Sequence, residues 1–239
     1  MDIRGPGDRL GDCVLELHTP NLSTFVYKGV MFKDCSLGKL GALIDVDLEL
    51  CKFFLKGLSC LERFAESKDS RYVKLLKGLN GARTLTLKLP VYSKVPEILE
   101  ELLASYANLK KLELQASIYS GTYHTWLASL LRLCSPIETL VLDIIPFHHE
   151  SNKDGLALPP CQLNRLKSIV VRGVEGDNYE FELLRLLLNI AVNLEILTIM
   201  TRGRSKTSKI ERGDLLSFQD KVMELSHDFP NVEVSFQIL

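Results

Sequence analysis

Five histidines, six cysteines and a few clustered carboxylates are the residues of this 239-residue chain best suited to chemistry. Their spacing argues against it. The histidines are His18, His124, His148, His149 and His227, and no HExxH, GxSxG or phosphate-loop lysine motif accompanies them. His148, His149 and Glu150 are consecutive. Three adjacent side chains seldom converge on one ion, so a solvated loop is expected there rather than a metal site. Cys13, Cys35, Cys51, Cys60, Cys134 and Cys161 form no CxxC pair and have no histidine at zinc-finger spacing. They are too dilute for a disulfide scaffold and are expected to be buried reduced thiols.

The remaining candidates are a set of glycines and two charged clusters. Gly5, Gly7 and Gly11 lie in "GPGDRLG" with no preceding strand, which reads as a flexible leader over residues 1–12. Gly173 and Gly176 stand between an apolar run and a helical pattern, where a backbone could cradle a phosphate. No lysine follows, and Glu180 and Glu182 would meet a phosphate with like charge. A strand-to-helix turn is expected instead, with Asp177 or Asn178 as the helix cap. Glu97, Glu100 and Glu101 sit at a helix start, where the helix dipole favours acids. Arg202, Arg204, Lys206 and Lys209 surround Ser205, Thr207 and Ser208 without interleaved aromatic residues. That pattern fits a solvated loop and does not support base stacking. No catalytic residue, cofactor site or metal ligand set emerges, and the expectation is a protein that is not an enzyme.

What positions these residues is a repeat. "ARTLTLKL", "LKKLELQ", "IETLVLD", "LKSIVVR" and "LEILTIM" share an LxxLxL pattern. Their central positions Leu85, Leu112, Leu140, Ile169 and Leu197 are 27, 28, 29 and 28 residues apart. That is the period of leucine-rich repeats. Alternation in the last LxL marks a strand with both apolar residues inward. Helical patterns lie between, at Val95–Tyr106, around Leu127–Cys134, at Leu183–Ala191 and at Leu215–Phe229, with a shorter one in "RYVKLLKGL". The fold expected is α/β, a leucine-rich-repeat solenoid with a parallel curved sheet on the concave side and helices on the convex side. Val14–Leu17, the run through Leu22, Phe25 and Tyr27, and Leu43–Leu50 recur too closely for full helices and read as strand-plus-turn repeats. Pro230–Phe236 reads as a shortened capping strand.

The segment "HTPNLSTFVYKG" and, more narrowly, "CQLNRLKSIVVRGVEGDNYEFELLRLLLNIAVNLEILTI" from Cys161 to Ile199 resemble plant F-box/leucine-rich-repeat proteins that end in an FBD region. The resemblance divides the chain into a leader at 1–12, leucine-rich repeats at 13–160, and FBD-like C-terminal repeats at 161–239 that continue the solenoid. It implies substrate recognition for a cullin-based ubiquitin ligase. The family's F-box pattern, however, is not found ahead of the repeats. A Skp1-type adaptor is therefore expected as a partner only of a longer form that carries an F-box. The rival expectation is a stand-alone structural or decoy repeat protein unconnected with ubiquitination.

On either expectation, function falls to the outward strand positions. These are Lys111, Glu113 and Gln115, then Thr139, Val141 and Asp143, then Ser168, Val170 and Arg172, and finally Thr198 and Met200. They would bind a protein partner whose identity the sequence does not name. The net charge of −1 gives no overall field toward nucleic acid or anionic lipid. The longest apolar runs fall short of the roughly 20 residues of a membrane span. With no apolar signal core near Met1, a cytoplasmic or nuclear location is expected.

Overall fold

The computed structural model describes residues 1–4, 13–29, 32–50, 54–55, 58–59, 70–88, 106–117, 136–145, 162–202 and 212–238. The fold is α/β and is dominated by parallel strand pairing. The chain divides into two compact units, Met1–Ala116 and Ser117–Leu239.

In the first unit, parallel pairing runs β1(Asp2–Arg4), β3(Thr24–Gly29), β5(Asp45–Leu50), β8(Thr84–Lys88) and β9(Lys111–Ser117). Register keeps apolar residues level from strand to strand. Phe25 pairs with Val46, Val46 with Leu85 and Leu85 with Leu112, and all four are essentially inaccessible to water. Tyr27, Leu48, Leu87 and Leu114 form the next buried row. Alternation alone produces this, because successive strand side chains point to opposite faces. Each such leucine contributes about 1.5–3 kcal/mol when fully buried.

Among the described residues, three of the segments between these strands form a second layer. β2(Val14–Leu17) and β4(Asp34–Leu37) pair with each other, apart from the main set. α1(Ser70–Gly78) follows and packs beside β4, burying Leu75 and Leu76. Val14–Leu17 is thus a strand, as its alternation predicts, but it occupies the layer that helices occupy elsewhere. The short connections leave too few residues for a helix. A short antiparallel pair, β6(Phe54–Leu55) with β7(Leu58–Ser59), lies between β5 and α1 in sequence.

The leader expected at residues 1–12 is corrected at its start. Asp2–Arg4 is strand β1, paired with Val26–Lys28, and the Met1 amino group donates to the Thr24 carbonyl at 2.7 Å. The edge of β3 offers unpaired backbone groups, and three residues suffice to satisfy them.

The second unit pairs β10(Thr139–Ile145), β11(Ser168–Val174), β12(Ile196–Thr201) and β13(Glu233–Ile238), all parallel. Leu140, Ile169 and Leu197 lie level, as do Leu142, Val171 and Ile199, and all six are fully buried. β13 continues both rows with Val234 and Phe236. Expected to be shortened, it instead matches β12 residue for residue over six positions. α2(Asn178–Ile190) lies between β11 and β12 in sequence and buries Leu183, Leu184, Leu187 and Leu188. α3(Arg212–Ser226) buries Phe218 and Val222. It begins three residues before the expected Leu215 and stops at Ser226. There the Ser226 hydroxyl bonds back to the Met223 carbonyl, and Pro230 follows.

One device recurs at strand entries. A single backbone carbonyl accepts from two consecutive N–H groups of the next strand's entry. Ser23 receives Ile44 and Asp45, Ile44 receives Arg83 and Thr84, and Arg83 receives Lys110 and Lys111. In the second unit Glu138 receives Lys167 and Ser168, and Lys167 receives Glu195 and Ile196. The expected helices at 95–106 and around 127–134 lie outside the described residues, save that Tyr106 is seen to be buried. No helix among the described residues is long and apolar enough to cross a membrane.

Candidate functional site

The outward strand positions form a grid within each unit. In the first unit Lys111, Glu113 and Gln115 lie level with Thr84, Thr86 and Lys88. In the second, Thr139, Ser168 and Ile196 make one row. Val141, Val170 and Thr198 make the next, and Asp143, Arg172 and Met200 the third. β13 extends these rows with Glu233, Ser235 and Gln237. The eight candidates in the second unit are therefore brought side by side, as are the three in the first.

Most of these side chains are half-buried, the usual state of residues flanked on a sheet face. Val141 departs from the expectation of an accessible contact residue, being only 2% exposed. Strand parity sets the direction of a side chain but not what covers it.

The two grids differ in character. The first is ionic. Lys28 reaches Glu49 at 3.2 Å and Asp47 at 3.8 Å, Lys88 reaches Glu49 at 3.9 Å, and Lys111 reaches Glu113 at 3.5 Å. Register makes Lys28, Glu49 and Lys88 immediate cross-strand neighbours, so opposite charges alternate along the row. Lys28, Asp47 and Glu49 are absent from the sequence-derived set. Their signal was available, since "TFVYKG" and "DVDLEL" alternate as strands and the same parity turns these residues outward. The second grid is mostly neutral, offering the hydroxyls of Thr139, Ser168, Thr198 and Ser235 beside Val170, Met200 and the 42% exposed Ile196. Ser235 and Thr198 hydroxyls stand 3.4 Å apart. Asp143 and Arg172 are level neighbours of opposite charge.

Chemically, these grids can exchange hydrogen bonds and cover apolar surface. They hold no histidine. Among the described residues no group of three His, Cys, Asp or Glu side chains could hold a metal ion. His148, His149 and Glu150 lie outside the described residues, as do Arg204, Lys206 and Lys209. Of the described cysteines Cys35 is buried, and burial pushes its thiol pKa up, away from reactivity. Cys13 is exposed, against the expectation of buried thiols.

The turn between β11 and α2 does cradle an acidic group, and the group belongs to the chain. Gly173 and Gly176 adopt φ of 79° and 98°, the left-handed region open to glycine. That conformation turns the N–H groups of Glu175, Gly176 and Asp177 onto the Glu180 carboxylate, the closest at 2.6 Å from Gly176. In return the Asp177 carboxylate accepts the Glu180 N–H at 2.7 Å, which closes a capping box. Glu180 is 3% exposed. Burial pushes its pKa up to about 7, with help from Asp177, against the downward pull of the three N–H bonds. Of the two expected caps, Asp177 and Asn178, it is Asp177 that serves. The inward turn of Glu180 was not foreseen, although an acid three residues after the cap is its sequence signal.

Arg202, expected in a solvated basic loop, is exposed and is also tied to the fold. Its guanidinium donates to the Ile144 carbonyl at 2.9 Å. It passes over Gly173, where an added Cβ would stand 2.3 Å from that carbonyl and 3.2 Å from the guanidinium.

No protein-family model matches this chain, and neither a curated protein nor a solved structure matches it.

Proposed function

We propose that this chain is a non-catalytic protein-recognition module of leucine-rich-repeat type, similar to the substrate-recognition part of an F-box ubiquitin-ligase subunit. The single observation that supports it most is the in-register outward grid of the second unit. Repeating strands hold Ser168, Val170, Arg172, Thr198 and Met200 at fixed separations on one sheet face. A rigid array of neutral hydroxyl and apolar side chains suits a protein surface, which needs both hydrogen bonds and dry contact. The 27- to 29-residue period of the strands and the resemblance over Cys161–Ile199 supply the link to the F-box family.

The test is a pair of parallel affinity captures followed by measurement of direct binding to the purified partner. One uses the natural chain and the other a Val170→Asp/Thr198→Arg variant, whose fold is checked by circular dichroism. A partner that binds the natural chain and is lost from the folded variant supports the reading. Equal binding to both would remove the grid as the contact surface. A Skp1-type adaptor is expected not to bind residues 1–239 by themselves, and tight binding would place an adaptor-binding surface within them.

A further inference from the structure

One tight turn recurs ahead of the strands. A backbone carbonyl accepts from the N–H three residues on at Thr19–Leu22, Tyr106–Leu109, Ala191–Leu194 and Phe229–Val232, at 3.0–3.3 Å. The third residue of each turn is an asparagine, Asn21, Asn108, Asn193 or Asn231. The N–H that follows each of these asparagines is therefore the turn's own donor and is held in place. The turn before β8 makes the same bond, from the Ala82 N–H to the Leu79 carbonyl at 3.2 Å, but its residues are moved by one place. Gly81 takes the third position and Asn80 the second. The amide after this asparagine is the Gly81 N–H, at the centre of the turn, which has no hydrogen-bond acceptor among the described residues.

Of the nine asparagines in the chain, Asn80 alone precedes a glycine. Gly81 has no side chain to crowd a group that approaches its nitrogen. Asn80 is exposed, and its side chain makes no hydrogen bond or ion pair with a described residue, so it is free to rotate. Reacting atoms must come within about 3–3.5 Å of each other, and an amide already committed to a turn bond cannot pivot to meet a side chain.

We propose that Asn80 is a site of spontaneous deamidation, with the Gly81 amide nitrogen as the nucleophile. That nitrogen gives up its proton to hydroxide and bonds to Asn80 Cγ. The Cγ–Nδ2 bond breaks and ammonia leaves, which closes a cyclic imide between the two residues. Water then adds to either carbonyl carbon of the imide. Opening at Cγ restores the ordinary chain with an aspartyl residue. Opening at the backbone carbonyl carbon leaves an isoaspartyl residue, with the chain routed through Cβ and Cγ. Nothing is oxidised or reduced, and the sum is amide plus water to carboxylate plus ammonium. The net charge passes from −1 to −2, because one neutral amide becomes a carboxylate. Leu79 and Ala82 are fully buried, and the Arg83 and Thr84 N–H groups are bonded to the Ile44 carbonyl. Both ends of the turn are thus anchored, and the change is confined to the surface at the entry to β8.

Peptide mapping by mass spectrometry, on the full chain aged in mildly alkaline buffer, tests this. Asn80 should convert to two separable products, aspartyl and isoaspartyl, at a rate within about tenfold of that of a free peptide of residues 77–83. Asn21, Asn108, Asn193 and Asn231 should keep their amides over that time. Gly81→Ala should slow the conversion about tenfold or more. The fold should tolerate this variant, since Gly81 is not in the left-handed region and an added Cβ would meet only the Leu40 carbonyl, at 3.6 Å. Circular dichroism checks that. Asn80→Gln, whose longer side chain closes the ring poorly, gives a second comparison and should keep its amide. Retention of the Asn80 amide while the free peptide converts, an aspartyl product without isoaspartyl, an unslowed Gly81→Ala, or earlier conversion in one of the other four turns would each overturn the proposal.

Discussion

The Arg202 guanidinium donates to the Ile144 carbonyl at 2.9 Å, although 58 residues separate the two in sequence. β11 lies between their strands, and Gly173 at its end leaves the space through which the arginine passes. The register of β11 against β12 shifts between Arg172 and Val174, so the bulge and the arginine clasp coincide.

Gly173→Ala should therefore be among the most disruptive small changes in the second unit. It adds a Cβ at a positive φ and drives it against the Ile144 carbonyl. A loss of about 3 kcal/mol in chemical denaturation is expected, with Arg202→Ala costing less, about 1–2 kcal/mol. Equal stability of Gly173→Ala and the natural protein would show that the clasp is not a constraint.

Glu180 gives a pH dependence with a definite sign. Its folded pKa, about 7, lies above the ordinary 4.5. Below pH 4.5 the group is protonated in both states and its contribution is fully present. As pH rises through 7 the native state holds a proton that the unfolded chain has released, and stability falls, by at most roughly 3 kcal/mol. Unfolding curves at pH 5 and pH 8 should show this loss in the natural chain. Glu180→Gln should lack that component of it. A difference between the two proteins that is the same at both pH values would contradict the assignment.

Tyr106→Phe probes a buried contact of the first unit. The Tyr106 hydroxyl donates at 2.7 Å to the Leu76 carbonyl, in the last turn of α1, and the same carbonyl accepts from the Leu79 N–H at 3.0 Å. Burial pushes the phenol pKa upward, so the hydroxyl stays a donor at ordinary pH. Its removal should cost about 1–3 kcal/mol, read from the denaturation midpoint.

The ionic row should matter far less. Lys28, Glu49 and Lys88 keep 30–40% of their side-chain surface in water. Glu49→Gln is expected to cost under about 1 kcal/mol, and added salt should shrink even that. A larger, salt-insensitive loss would mean that the row is enclosed in solution.

The strands were legible because LxL alternation is a local signal, and the positions around Leu85, Leu112, Ile169 and Leu197 obey it, while around Leu140 the intervening Val141 is buried too. Val14–Leu17 shows where that signal ends. Alternation identifies a strand but not which of two sheets receives it, and only the short connections of this region decide the layer. Asp2–Arg4 has too few residues to show any period. At the candidate site, parity gave the outward direction of Val170 and Thr198 correctly, yet it could not foresee that Val141 is covered. The roles of Glu180 and Arg202 escaped for a related reason. Both depend on left-handed backbone at Gly173 and Gly176, and a charged side chain looks solvated until the backbone amides or carbonyl it meets are known.

The paired N–H groups gathered by single carbonyls at Ser23, Ile44, Arg83, Glu138 and Lys167 have an evolutionary corollary. β5, β8, β9, β11 and β12 are each phased at their start, independently of how much chain was spent in reaching them. Insertions and deletions between strands need not disturb the alignment of Leu140 with Ile169 or of Thr139 with Ser168. Spacings of 27, 28 and 29 residues can therefore coexist with unbroken rows. The connecting segments are free to vary in length while the sheet face keeps its lattice.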